Sequence, residues 1–117
     1  MNMSFDTIIR SGHICDGTGN PVFKADIGIQ GDRIVFIGDL ADQSAEVDIS
    51  AEGLVVSPGF IDLHNHVDQG VRCFPDVESY IMQGVTTSIV GNCGLSMAPL
   101  SEEYREEARQ YQKAFLP

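Results

Sequence analysis

Pro58-Gly59 divides the chain into two stretches whose patterns do not belong to one architecture. Before it, short runs rich in β-branched residues alternate with turn clusters, and no run has a helix-length period. Residues 5–10 (FDTIIR), 25–30 (ADIGIQ), 33–38 (RIVFIG), 46–50 (EVDIS) and 54–57 (LVVS) read as strands. Residues 16–21 (DGTGNP) gather Gly, Asn and Pro into one turn, and Gly31-Asp32 is a two-residue hairpin signal. The pattern predicts a small β meander or sandwich over residues 1–57, with nothing catalytic in it.

After Gly59 the style changes to alternating strands and helices. Residues 60–68 (FIDLHNHVD) read as a strand. Residues 74–83 (FPDVESYIMQ) read as a helix with Pro75 in its first turn and Gly84 as its stop. Residues 85–90 (VTTSIV) form a β-branched strand, and 101–115 a helix that Ser101 is placed to cap. Tyr104, Ala108, Tyr111 and Phe115 fall on one stripe of it, predicted to pack in a core. Strand–helix–strand–helix is the order of parallel βα units, so residues 58–117 read as a second domain of α/β type. A chain of 117 residues does not close an eight-stranded α/β barrel, which needs roughly 250 residues.

If residues 60–68 are one strand, Asp62, His64, His66 and Asp68 share a face, while Ile61, Leu63 and Val67 share the other. Imidazoles at i and i+2 lie about 6–7 Å apart along a strand, close enough to converge on one ion. Burying them unpaired would cost several kcal/mol, so a partner is expected, and a divalent metal is the obvious one. The bland reading is a pair of partly exposed histidines at a strand end. Asp62 and Asp68 either orient an imidazole or are simply solvated. Cys93 follows the second parallel strand, in Gly91-Asn92-Cys93-Gly94, where α/β proteins build sites. It reads as a metal thiolate, a nucleophile or a small buried hydrophobe. Cys15 and Cys73 lack such a setting and read as structural, and His13 as a surface residue.

Seven basic against 17 acidic residues give a net charge of −10, which repels phosphate backbones and anionic membranes. No nucleic-acid or membrane partner is expected. The three cysteines supply no CxxC pair, and no signal pattern opens the chain, so free thiols in the cytoplasm are expected. Phosphate-loop and nucleophile-elbow patterns are missing from the sequence.

VVSPGFIDLHNHVD (55–68) resembles the first barrel strand of the amidohydrolase superfamily. QGVTTSIVGNCGLSMAPL (83–100) is similar to the N-acyl-D-amino-acid deacylases (D-aminoacylases), which share its G-V-T-T and G-N-C-G elements, and the turn at DGTGNP and hairpin at GDRI suit that family's small β domain. The resemblance implies an α/β fold: part of a β domain over 1–57, then the first two βα units of a TIM barrel over 58–117. It implies that His64, His66 and Cys93 are metal ligands, Cys93 as a zinc thiolate, with one or two divalent ions. Zinc chemistry there acidifies water and polarises an amide carbonyl, releasing a carboxylic acid and a D-amino acid. No catalytic base is assigned within the chain; the family's aspartate is expected beyond residue 117. The implied partners are a small N-acyl amino acid substrate and the remainder of the barrel, or another copy through self-association. The competing expectations are a cyclic-amide hydrolase of the dihydroorotase or hydantoinase kind, and a non-catalytic domain acting by association.

Overall fold

The computed structural model describes residues 4–96 and 98–113, which fall into two compact units, Met1–Pro58 and Gly59–Pro117. The first unit holds one five-stranded sheet: β1 (Phe5–Ile14), β2 (Phe23–Gln30), β3 (Arg33–Gly38), β4 (Ala45–Ser50) and β5 (Val55–Val56). Gly31, at φ 59°, and Asp32 turn β2 back onto β3, pairing Gln30 with Arg33 as the hairpin signal predicts. The sheet is mixed, however, and not a simple meander. β1 is long enough to need partners along both edges, and its second edge is covered end to end by β4 and β5, both parallel to it.

A bulge between Ile9 and Gly12 bends β1, with Ser11 at φ 59°. The Asp26 carboxylate holds it, accepting from Ser11 N–H (2.7 Å) and from Leu40 N–H (3.0 Å). Arg10 reaches the other way, donating to the Leu40 and Gln43 carbonyls (3.0 Å each) and pairing with Asp48. The Asp48 hydrogen bond raises the Arg10 pKa above its usual value. Phe5, Ile8 and Leu40 form the core of this unit, with Phe36 and Ala45 packed against it. Ile34, Ile37, Val47 and Ile49 of the sheet are exposed.

The second unit is lighter. β6 (Phe60–Asp62) and β7 (Val85–Ser88) pair in parallel, as βα units require. Between them lie two single-turn helices, α1 (Val67–Gly70) and α2 (Glu78–Ile81). The helix expected over 74–83 is therefore much shorter. Val77 sits in the left-handed region at φ 44° directly before α2, and Pro75 disfavours helix in the residue ahead of it. Gly84 does follow as the stop, at φ 80°. The C-terminal helix opens as a 3-10 turn (Glu102–Tyr104) and continues as α3 (Arg105–Lys113). Ser101 makes no side-chain cap. The stripe expected in a core is not buried: Tyr104 and Tyr111 are 56% and 49% exposed, Ala108 is half-buried, and Phe115 lies outside the described residues. Among the described residues, no helix is long and apolar enough to cross a membrane.

Candidate metal centre

Parallel pairing puts the carboxyl ends of β6 and β7 side by side, and Ile89 N–H extends the ladder to the Asp62 carbonyl (2.8 Å). The loops leaving those two ends carry the candidate ligands. The strand expected over 60–68 stops at Asp62. Two short polar side chains end it by offering the backbone local partners. Asp62 Oδ1 accepts from His64 N–H (3.0 Å), and Asn65 Oδ1 accepts from Val67 N–H (3.1 Å), while Asn65 Nδ2 donates to the Asp62 carbonyl (3.3 Å). The two histidines thus come from a tight loop leading into α1, not from the alternating face of a strand.

On the second loop, Gly91 and Gly94, both at φ 80°, bracket a turn closed by Gly94 N–H to the Gly91 carbonyl (3.1 Å). Cys93 stands in that turn. One ligand atom from each of His64, His66 and Cys93 falls within 4.8 Å of the others. Cys93 Sγ is 3.5 Å from His66 Nε2, and the two imidazole rings lie 6.1 Å apart, inclined at 68°. Zn–N and Zn–S bonds of about 2.0 and 2.3 Å at a tetrahedral angle separate nitrogen from sulfur by about 3.5 Å. The donor set and its spacing therefore fit a zinc ion. All three side chains are exposed, which leaves room for water or a substrate.

The other residues singled out from the sequence take separate places. Asp62 is engaged with the His64 backbone. Both carboxylate oxygens of Asp68 are buried with no hydrogen-bond partner among the described residues. Cys15 and Cys73 are free thiols outside the cluster, and His13 is exposed on β1. Two residues that the sequence reading passed over shape the site. Asn65 is buried and ties its own loop, and Asn92 Nδ2 donates to the Leu63 carbonyl (2.9 Å), joining the two loops. The signal for Asn65 was present, since Asn beside a strand end is an Asx-turn former, whereas nothing local announces the bond from Asn92 to Leu63.

No family model matches the chain. D-aminoacylase of Alcaligenes xylosoxydans xylosoxydans is 47% identical over 97 residues, which are 83% of this chain and 20% of that protein. N-acyl-D-glutamate deacylase of the same organism is 44% identical over 99 residues, 85% of this chain and 20% of the relative. Among solved structures, a D-aminoacylase with a binuclear metal centre superposes with a TM-score of 0.76 at 49% identity, over 84% of this chain and 21% of the other. N-acyl-D-glutamate deacylase from Bordetella bronchiseptica, complexed with zinc and a phosphonate mimic of the tetrahedral intermediate, gives 0.77 at 44% identity, over 83% and 20%. L-hydantoinase from Arthrobacter aurescens gives 0.61 at 30% identity, over 72% and 20%. The neighbours in fold are amidohydrolases. Within them, the chain matches the N-terminal portion of the D-aminoacylase family, and it spans about a fifth of the length of those relatives.

Proposed function

We propose that this chain supplies the first metal-binding elements of a metal-dependent hydrolase that cleaves a linear amide, deacylating N-acyl-D-amino acids. The observation that carries the reading is the convergence of His64, His66 and Cys93 from two loops at the ends of adjacent parallel strands. On this reading residues 58–117 begin a (β/α)8 barrel, and residues 1–57 are part of an accompanying β domain. His64, His66 and Cys93 hold zinc, as one ion or one of two. Bound there, zinc supplies Lewis acidity that acidifies water and polarises a carbonyl. The chain's own residues hold the geometry: Asp62 and Asn65 fix the histidine loop, and Gly91 and Gly94 shape the turn that presents the thiol. A small N-acyl amino acid is the partner, with neither nucleic acid nor membrane. A reducing cytoplasm suits the three free cysteines.

A cyclic-amide hydrolase is favoured only by the weaker likeness to the hydantoinase. The test is an assay of the 117-residue chain, and of a polypeptide of the relatives' length containing it, with zinc. The panel holds N-acyl-D-amino acids, their L-enantiomers and a hydantoin. The expected result is D-selective amide hydrolysis by the longer polypeptide, lost in His66→Ala, with no turnover by the 117-residue chain, which offers three ligands and no assigned base. Selective hydantoin opening by the longer polypeptide overturns the deacylase reading, and saturable turnover by the short chain overturns its incompleteness.

A further inference from the structure

We infer that Asn92 is a positioning residue for the metal centre, setting the Cys93 thiol against the two imidazoles by latching one loop to the other; this rests on the metal reading above. The ligands His66 and Cys93 lie 27 residues apart, and the chain between them passes through two single-turn helices. The ladder between the strands ends at Ile89, four residues short of Cys93. Beyond that point, among the described residues, Asn92 Nδ2 donates to the Leu63 carbonyl (2.9 Å) and joins the two loops beside the Cys93–His66 contact.

The positions of its two ends give this bond its leverage. Leu63 is the residue before His64, and Asn92 is the residue before Cys93. A fixed Nδ2···O distance therefore sets the separation of the backbones one residue upstream of a ligand on each side. The latch needs a donor, because the Leu63 carbonyl can only accept, and the Asn92 amide supplies one on a short side chain. Asp at this position would present two acceptors to an acceptor. Hydrogen-bonding partners of this kind, one step removed from a metal, typically change affinity by roughly 10- to 100-fold when removed.

The experiment titrates the 117-residue chain with Co2+, comparing the unsubstituted chain with Asn92→Leu, which keeps the bulk and loses the donor, and with Cys93→Ser. Three quantities are read: the Co2+ dissociation constant, the thiolate-to-cobalt charge-transfer band, and exchange protection of the Phe60 and Ile89 amides before any metal is added. The expected result is a band in the unsubstituted chain that is missing in Cys93→Ser. In Asn92→Leu the band fades and the dissociation constant rises roughly 10- to 100-fold, while amide protection stays. Full-strength band and unchanged affinity in Asn92→Leu overturn the inference. Fading that occurs only together with loss of Phe60 and Ile89 protection overturns it too, because Asn92 then acts on the fold and not on the thiol. If the unsubstituted chain shows no thiolate band, the metal reading itself falls, a result distinct from either of these.

Discussion

Among the glycines of the second unit, Gly59 has the least room for a side chain, and replacing it with alanine tests how that unit is held. The register between β6 and β7 slips between Phe60 and Ile61, leaving Thr86 without a partner opposite and bringing it over Gly59. A methyl group at Gly59 would stand 2.1 Å from Thr86 Oγ1, 2.2 Å from Cγ2 and 2.7 Å from Cβ. Rotating Thr86 moves the first two atoms but not the third, so the backbone must give. Forced overpacking of this kind costs about 1–3 kcal/mol. Against it, losing glycine's freedom in the unfolded chain returns about 0.4–1 kcal/mol. The net expectation is a loss of about 1–2 kcal/mol, a factor of roughly 5–30 in the local opening equilibrium. The assay is amide exchange at Phe60 and Ile89, whose N–H groups bond the Gly84 and Asp62 carbonyls across the pair (2.8 Å each). Both should exchange faster in Gly59→Ala, and Thr86→Gly in the same chain should recover most of the difference. Unchanged exchange in the single variant, or no recovery in the double, would show that the contact is not what locks these strands.

Gly28→Ala should destabilise the first unit by about 1–3 kcal/mol in urea unfolding, because its methyl would stand 2.4 Å from Cε1 of the buried Phe5 ring; no change would mean the ring yields freely. In the turn after β1, the Thr18 hydroxyl and N–H both donate to Asp16 Oδ1 (2.7 and 2.9 Å) and hold that carboxyl below the usual aspartate range. A depressed folded pKa stabilises the fold at neutral pH and loses that contribution as pH falls through the carboxylate range. Thr18→Val should therefore raise the Asp16 titration midpoint, followed by carboxyl-carbon NMR, and an unmoved midpoint would contradict the assignment.

The strands of the first unit were legible because their ends are marked chemically: Gly31-Asp32 and residues 16–21 permit few conformations other than turns. The partners of those strands were not legible. Nothing local in 46–50 or 54–57 announces that both runs lie parallel to β1, since that pairing is decided by which edge remains open once the hairpin has formed. In the second unit the opposite happened. The residues of the candidate site were visible in the sequence, but the reason for their convergence was misplaced. Alternation along a strand put His64 and His66 on one face, whereas Asp62 and Asn65 end the strand and deliver both from a loop. The stripe on α3 marks a face that would gain from cover, and a periodic pattern carries no information about what covers it.

Among the described residues, every buried apolar side chain lies between Phe5 and Ala51, and the buried residue of the second unit is polar, Asn65. Phe60, Ile61, Leu63, Phe74, Ile81 and Met82 are all exposed there. Hydrogen bonds must carry most of that unit's order, and each contributes only about 0.5–1.5 kcal/mol net. The Asp68 carboxylate, with no hydrogen-bond partner among the described residues, works against them. On the proposed reading, a ligand for His64, His66 and Cys93 enters this balance as a larger quantity. At a concentration one hundred times its dissociation constant it stabilises the folded state by about 2.7 kcal/mol, more than any one hydrogen bond between the loops. The three donors are gathered from two loops only when β6 and β7 are paired. Folding of the second unit and occupation of its donor set are then one linked equilibrium, while the first unit, with Phe5, Ile8 and Leu40 at its centre, has a core of its own and no such dependence.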